Sequence, residues 1–277
     1  MCRRFLLVVA AVALGCAAPA RAQTSPAGFE MAKSVIARMV RVTGRQSAAG
    51  GGQVGYGLIT GEERNADGET VLLAVVPYNV VRDPAQPGAA FQPPGIAFAR
   101  EPQRFHTGEV LRESLPPDRG NLALVSLRKP AWFHAVPAVM ADSGTVLPGV
   151  PVWQAGVAGE FAAARAVGRL AYQDQVGWLL FDGIDNTAGA IGAGVVNEHG
   201  VIGLAMGPAP QDPIATRVIP LAFVAMRVRA WGHVWDIPAE GSAGARPPVA
   251  GPGRPAPARP RDGGALAPLG MVALLEA

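Results

Sequence analysis

Short apolar runs separated by turn residues dominate the chain from about residue 31 onward. The clearest case lies between Trp178 and Met206, where apolar, β-branched runs flank a glycine-rich bend. Within it, residues 197–200 form a four-residue turn, Asn-Glu-His-Gly, between Val195-Val196 and Val201-Ile202. The pattern predicts a β-hairpin at this point, preceded by backbone that bends at glycines or approaches another segment closely.

The same pattern predicts further elements upstream. Residues 53–60 predict a strand that its glycines allow to bend, and Asp67-Gly68 is a strong signal for a two-residue turn. The turn leads into residues 71–76, which are apolar enough to be buried on both faces. Residues 34–42 predict a helical turn that runs into a strand, and residues 82–103, rich in Pro, Gly and Ala, predict a surface excursion.

One longer helix is predicted before the composition changes at Trp235. Apolar side chains recur every three to four residues there, and Pro220 occupies a plausible first helical position. Beyond it, residues 237–264 predict an extended Pro/Gly-rich linker, and residues 265–277 predict a short apolar tail that cannot span a bilayer. The apolar positions of the helix are Ile219, Phe223, Met226 and Val228.

Composition narrows the class of protein. The chain has 277 residues, of which 49% are hydrophobic and only 16% charged, which excludes a disordered or nucleic-acid-coating protein. Its 35 glycines and 26 prolines favour many short strands joined by turns. The net charge of +3 comes from dispersed arginines, since Lys33 and Lys129 are the only lysines, so no nucleic-acid partner is expected.

The first 22 residues have the features of an export signal. Two arginines precede an apolar run, and Ala20-Arg21-Ala22 places small residues at the two positions that signal peptidase inspects. We therefore expect an exported protein, periplasmic or secreted, without a transmembrane span. Gly15-Cys16 offers a competing lipid-anchoring site. Cys2 and Cys16 are the only cysteines, so cleavage after Ala22 would leave no disulfide and no cysteine zinc site.

Three segments, in order, resemble parts of one protease family. Residues 55–60 read GYGLIT, residues 75–81 read VVPYNVV, and residues 120–127 read GNLALVSL. Together with GAIG at residues 189–192 and the hairpin after it, they resemble the trypsin-like serine proteases of the HtrA/Deg type. The resemblance covers about residues 31–235. It implies an all-β fold of two antiparallel Greek-key barrels, at residues 31–134 and 135–236, closed by a C-terminal helix.

The catalytic positions implied by this resemblance carry other residues. Asn79 takes the place of the histidine, Asn121 that of the aspartate and Ile191 that of the serine nucleophile. Acyl transfer needs a nucleophile, a base that takes its proton and a carboxylate that orients the base. Ile191 has no nucleophilic atom, and an amide is not basic near neutral pH. Since triad members act as a unit, the resemblance predicts an inactive homologue.

Other parts of the family site can outlast these substitutions. The resemblance implies an oxyanion hole formed by the backbone N–H groups of Gly189 and Ile191, which do not depend on side chains. Asp185 lies six residues before Ile191, where trypsin-like enzymes select basic side chains. HtrA-type enzymes lack that aspartate, so a solvated loop carboxylate is the favoured interpretation of Asp185 and a specificity pocket is the alternative. A displaced active site would need a histidine beside a hydroxyl, and the candidates are His106, His134, His199 and His233 with Ser126 or Ser143.

Three functions are compatible with these features. The first is an inactive pseudo-protease that binds peptide or protein in the cleft between the barrels, in the cell envelope, by strand addition. The second is an active endopeptidase with a rearranged site. The third is a structural envelope β-protein without a cleft. No His-x-x-x-His or acidic metal pattern appears in the sequence, so neither a metal nor a cofactor is expected.

Overall fold

Two six-stranded antiparallel barrels follow one another along the chain. The computed structural model describes residues 26–44, 53–82, 93–114, 121–157, 159–164, 168–173 and 177–242. In the first barrel, β3 pairs with β6 rather than with the next strand, so the spatial order is β1-β2-β3-β6-β5-β4, closed by β1 with β4. Its strands are β1 (Met39–Thr43), β2 (Val54–Arg64), β3 (Thr70–Pro77), β4 (Gly95–Phe98), β5 (Glu101–Glu113) and β6 (Leu122–Arg128).

The second barrel repeats this arrangement. Its spatial order is β10-β11-β12-β9-β8-β7, and β10 closes it by pairing with β7. The predicted turn at residues 197–200 joins β10 to β11, and Asn197 Oδ1 accepts the N–H groups of His199 at 2.9 Å and Gly200 at 3.1 Å. The strands are β7 (Pro151–Ala155), β8 (Gly168–Gln173), β9 (Leu179–Asp182), β10 (Gly194–Asn197), β11 (Gly200–Pro208) and β12 (Thr216–Pro220).

Side chains that alternate along the strands point into each barrel and form its apolar interior. Val40, Leu72 and Val125 are fully buried within the first barrel. The opposite faces of β3 and β6 are also buried, because Leu73 and Leu124 belong to a larger apolar cluster that includes the second barrel. This explains why residues 71–76 are apolar at every position, as the sequence predicts, since both faces of β3 are covered.

Within the described ranges, three α-helices accompany the barrels: α1 (Pro26–Ile36), α2 (Tyr78–Val81) and α3 (Leu221–Ala230). The helix predicted near Pro220 is α3, but it begins at Leu221 with Pro220 as its N-cap. Of the predicted apolar positions Val228 is buried, whereas Met226 is exposed and Ile219 belongs to β12. The helix α1 packs against β7 and β10 of the second barrel, although it precedes the first barrel in sequence. Among the described residues, no helix has the length and apolar character needed to cross a membrane.

The structure moves several boundaries predicted from sequence. The helix α1 begins at Pro26, ahead of residue 31. The predicted surface excursion at 82–103 contains β4, where Ile96, Ala97 and Phe98 are buried, because this short apolar run completes the barrel between β1 and β5. The linker boundary at residue 237 is also corrected, since Ile237 is buried in the core. Residues 1–22, including Cys16, and residues 243–277 lie outside the described ranges.

Candidate functional site

Asn79 lies on α2, immediately after β3 leaves the first barrel. The helix follows Pro77, whose fixed φ suits the position before a short helical turn, and it buries Tyr78, Val80 and Val81 while Asn79 stays half-buried. The Oδ1 atom of Asn79 is buried and has no hydrogen-bond partner among the described residues. A buried, unpaired amide oxygen is unfavourable, so this atom is a candidate for a donor supplied from outside.

Asn121 lies beside Asn79 because β3 and β6 are neighbours. Pro77 and Leu122 are register partners, and the carbonyl of Asn121 accepts the N–H of Tyr78 at 2.7 Å. Asn121 has a φ of +37°, a left-handed conformation that asparagine tolerates better than most side chains. The residue therefore has a backbone role at this turn, whatever its side chain contacts.

Ile191 lies on the connection from β9 to β10, which we call the Ile191 loop (residues 185–193). A single turn of 3-10 helix, Ala188–Ala190, precedes it, with Ala190 N–H donating to the Thr187 carbonyl at 2.9 Å. Gly192 follows with a φ of +85°, and its N–H donates to the carbonyl of Ala205 in β11 at 2.6 Å. Backbone hydrogen bonds therefore hold the loop on both sides of Ile191.

The first barrel approaches this loop through β2. Tyr56 N–H donates to the Ile191 carbonyl at 2.7 Å, and a Cβ on Gly192 would lie 1.9 Å from the Tyr56 carbonyl oxygen. A Cβ on Gly55 would lie 2.6 Å from Val80 Cγ2 and 2.8 Å from the Ile191 carbonyl oxygen. Only glycine fits at either position, since a Cβ would meet the opposite barrel.

The segments that carry the three positions singled out from sequence are linked by backbone contacts where the barrels meet. Asn79 and Asn121 are joined through Tyr78, while Ile191 contacts the same region through Gly55 and Val80. The Ile191 side chain is half-buried against the apolar core of the first barrel. Neither the two amide side chains nor the hydrocarbon side chain of Ile191 can act as nucleophile, base or acid.

The backbone N–H groups of Gly189 and Ile191 remain candidate donors. The backbone hydrogen bonds described in this turn are donated by Ala190 N–H to the Thr187 carbonyl at 2.9 Å and by Ala193 N–H to the Ala190 carbonyl at 3.0 Å. Ile191 follows the turn with extended backbone.

Asp185 is held within its own loop. Its Oδ1 accepts the N–H of Thr187 at 2.9 Å, and its backbone is anchored by the fully buried side chain of Gln154 through bonds of 3.0 and 3.1 Å. A neighbouring side chain, Asn186, donates to the Pro213 carbonyl at 3.0 Å and so ties the loop to the β11–β12 turn. The carboxylate of Asp185 therefore caps a turn, which agrees with its interpretation as a loop residue.

A strand edge lies beside Ile191. On its β10 side the register of β11 ends at the pair Gly194 and Leu204, so Gly207 lies beyond it. On its β12 side β11 stays paired up to Pro208, and Gly207 lies in a register shift between Ala205 and Pro208. The Ile191 side chain lies next to it, since a Cβ on Gly207 would be 3.7 Å from Ile191 Cδ1. An unpaired stretch of strand can pair with the backbone of an extended peptide, which then adds a strand to the sheet.

The four histidines lie away from this meeting point of the barrels. His106 contacts Phe98 edge-on with ring centroids 5.3 Å apart, and burial lowers its pKa. His134 is exposed, and His199 lies in the β10–β11 turn. His233 shares a concavity with Ser126, one of the candidate hydroxyls. This concavity, of about 870 Å³, lies on the outside of the first barrel and is lined by Ser126, Glu63 and His233 among others.

The geometry of that second location is incomplete for catalysis. His233 Nδ1 lies 3.0 Å from Glu63 Oε1, and its Nε2 is buried without a partner among the described residues. Within the described ranges no hydrogen bond joins Ser126 to His233, although the two residues line the same concavity. Nor do these ranges contain a group of three His, Cys, Asp or Glu residues placed to hold a metal ion.

Tyr56 is the site residue that sequence reasoning missed. It is fully buried, its hydroxyl accepts the N–H of Phe161 at 3.0 Å, and its ring meets Phe161 edge-on. Burial is the main reason why its pKa is raised. It therefore holds the Ile191 loop by its backbone and residues 159–161 by its side chain. Its position between Gly55 and Gly57 is a signal of close packing that the sequence already contains.

Comparison with known proteins supports the fold. The crystal structure of the serine endoprotease from Yersinia pestis resembles this chain with a TM-score of 0.53 and 15% sequence identity. The match covers 73% of this chain and 66% of that one, so this chain spans just under two thirds of that protein's length. No protein-family model and no curated protein sequence matches. The predicted all-β, trypsin-like fold of two barrels with a C-terminal helix is confirmed.

Proposed function

We propose that this chain is an exported, catalytically inactive protein of trypsin-like fold that binds an extended peptide or protein segment in the cleft between its barrels. Its inactivity is inferred from Asn79, Asn121 and Ile191, which supply no hydroxyl, imidazole or carboxylate where the fold would place them. The partner would be a peptide or protein of the cell envelope, and no cofactor or metal would be required.

The observation that carries the proposal is the position of Gly207 in β11, unpaired on the β10 side and beside Ile191. A peptide added at this edge would pair its backbone with β11. It would lie next to the side of the cleft that contains Asn79, whose Oδ1 atom has no hydrogen-bond partner among the described residues. The N–H groups of Gly189 and Ile191 would donate to a peptide carbonyl or a terminal carboxylate. Ile191 covers Gly207, so its side chain would have to rotate during binding.

Isothermal titration against a library of unstructured peptides tests the proposal. We expect dissociation constants below millimolar for a subset of the peptides. Ile191→Ala should bind those peptides about three- to tenfold more tightly, because no side chain has to be reordered over Gly207. Met226→Ala, a truncation of an exposed side chain on α3, is the matched control and should bind like the wild type. The proposal fails if no peptide binds better than millimolar.

An active endopeptidase with a rearranged site is the second candidate. It is favoured by one observation, the Glu63–His233 pair in the concavity that Ser126 also lines. Incubation with a fluorophosphonate probe, beside a fluorogenic-peptide assay on protein free of contaminating protease, distinguishes the two functions. Labelling that Ser126→Ala abolishes would establish the enzyme, whereas peptide binding without labelling supports the pseudo-protease. If the protein shows neither peptide binding nor labelling, a structural envelope protein is the function that remains.

Export is tested separately by the mass of the mature protein. Cleavage after Ala22 gives a soluble form in the periplasm or medium, whereas cleavage before Cys16 with an added diacylglycerol gives a lipid-anchored form. The first result is the one we expect. Recovery of the full-length chain, with Met1 retained, from the cytoplasmic fraction would refute export.

A further inference from the structure

The helix α3 is apolar on the face that it turns to solvent as well as on the face that it buries. Its buried residues recur every three to four positions, as expected for the side of a helix that packs on a core. These are Leu221, Val224, Ala225 and Val228. The other six residues form the opposite side, which we call the outer face: Ala222, Phe223, Met226, Arg227, Arg229 and Ala230.

The composition of the outer face is unusual for a side that water contacts. A surface helix ordinarily carries charged and polar side chains there. The outer face instead has four apolar side chains and two arginines, with no carboxylate and no neutral polar group. Met226 is 54% exposed, and Ala222 and Ala230 are also exposed. An exposed apolar stripe of this kind marks an interaction surface.

The two arginines border the apolar stripe. At roughly 100° per residue, Phe223, Met226 and Ala230 lie along the middle of the outer face, with Arg227 on one edge and Arg229 on the other. The Arg227 guanidinium lies over the Phe223 ring, 5.7 Å from its centroid, so this side chain stays against the stripe. Arginines in such positions bury their aliphatic stems while the charged group reaches a polar layer.

The end of α3 adds an aromatic side chain to the Arg227 edge. Trp231 lies one helical turn beyond Arg227, and its backbone N–H donates to the Arg227 carbonyl at 3.0 Å. Its side chain is half-buried against the core. Tryptophan is enriched where one end of a side chain is in an apolar layer and the other in water. Arginines, a tryptophan and an apolar stripe together are typical of helices that lie on membrane surfaces.

Charge decides which partner suits this surface. Residues 213–235 contain three arginines and no carboxylate, which favours an anionic partner. A second copy that docked through its own outer face would bring arginines against arginines, which is unfavourable. The outer face is convex, and the concavity outside the first barrel is lined by His233 but by no residue of α3, so it gives a peptide no pocket on this helix.

We infer that the outer face of α3 docks the protein on an anionic phospholipid bilayer as a peripheral contact. The stripe of Phe223, Met226 and Ala230 would enter the boundary between headgroups and acyl chains, and Arg227 and Arg229 would pair with lipid phosphates. This inference goes beyond the proposed peptide binding. It uses a helix that carries none of the residues of the Ile191 loop, so either one can fail without the other.

Co-sedimentation of the full chain with vesicles tests the inference. Vesicles of phosphatidylglycerol and phosphatidylcholine in equal parts are compared with vesicles of phosphatidylcholine alone, and we expect about tenfold stronger binding to the first. The double variant Arg227→Gln with Arg229→Gln should bind the anionic vesicles about 25-fold more weakly, at about fivefold per arginine. Met226→Gln, which leaves the charge unchanged, should weaken binding about three- to fivefold.

Two further double variants are the matched controls. Arg227→Lys with Arg229→Lys keeps both charges and should bind within about twofold of the wild type. Arg104→Gln with Arg128→Gln removes the same net charge from exposed positions in the first barrel, where the two side chains are 69% and 79% exposed. This variant should also stay within about twofold, because charges far from the docked face are screened. Thermal unfolding checks that every variant is folded.

Several results would overturn the inference. Equal binding to both kinds of vesicle would exclude recognition of anionic lipid, and an equal loss in the Arg104 and Arg128 variant would reduce the effect to net charge. If the arginines serve only the dipole of α3, the glutamine pair would lower Tm and leave vesicle binding unchanged. Binding of polyglutamate without vesicle binding would assign the face to an acidic protein. A dimer that Met226→Gln dissociates, again without vesicle binding, would assign it to a second copy.

Discussion

Replacement of Gly192 by alanine should separate the two barrels where they meet at the Ile191 loop. Gly192 has a φ of +85°, and a Cβ there would lie 1.9 Å from the Tyr56 carbonyl oxygen and 3.0 Å from Pro77 Cδ. Backbone cannot yield as a flexible side chain can, so the loop or β2 must move. Movement at this point also breaks the bond between Tyr56 N–H and the Ile191 carbonyl, because that bond spans the same contact.

The size of the effect follows from two separable contributions. A left-handed conformation costs about 1–2 kcal/mol for a residue with a Cβ. The collision adds the displacement of packed backbone, so the total should be on the order of 3–5 kcal/mol. Gly68→Ala is the matched control, since Gly68 has a φ of +79° but nothing within 4 Å of its Cβ position. That variant should show the conformational contribution alone, about 1–2 kcal/mol.

Urea denaturation of the two variants measures both contributions. Gly192→Ala should lower the free energy of unfolding by at least about 2 kcal/mol more than Gly68→Ala, with Tm falling by roughly 10 °C. The slope of the unfolding transition should stay the same if only the native state is affected. The reasoning is refuted if the two variants are destabilised equally within about 0.5 kcal/mol. The close approach of Gly192 to Tyr56 would then not constrain the fold.

Three further outcomes are expected. Gly28→Ala should lower Tm, because a Cβ there would lie 2.3 Å from the Trp153 ring, whereas on an open helix face the same change would stabilise by about 0.5–1 kcal/mol; a raised Tm would show that the ring yields. Burial lowers the pKa of His106, so the unfolded chain binds more protons than the folded chain below about pH 6.5, and the free energy of unfolding decreases as the pH falls. His106→Phe should remove this part of the stability lost between pH 7 and pH 5, as measured by urea titration. An unchanged difference between the two pH values would contradict the reasoning. Ile191→Ser should not react with a fluorophosphonate probe, because no imidazole adjoins it, and labelling would refute the assignment of the site.

The sequence predicts those parts of the fold whose pattern is contained in one short segment. The apolar run at 71–76, the turn at residues 197–200 and the helical period after Pro220 each lie within a dozen residues, and all three elements are present. The short strand β4 was not accessible, since its four residues lie in a stretch rich in Pro, Gly and Ala and only pairing with β1 and β5 selects the extended form. The packing of Gly28 on Trp153 likewise depends on residues far apart in the chain.

The candidate site divides in the same way. Asn79, Asn121 and Ile191 could be selected because each lies in a motif of local order, and their assignment to one site stays a prediction. Tyr56 could not be assigned a role, because its partner Phe161 is 105 residues away. The Glu63–His233 pair is separated by 170 residues, so the sequence offers a histidine but not its carboxylate. Contacts of this kind are set by how the barrels meet rather than by any local pattern.

The location of α1 has a consequence for how the chain acquires its structure. This helix leaves the ribosome before any strand, yet its docking surface on β10 is synthesised roughly 160 residues later. At ordinary translation rates that delay is on the order of ten seconds or more, and during it this amphipathic segment lacks the surface on which it docks. The first helix of the chain therefore docks only after most of the second barrel has been synthesised.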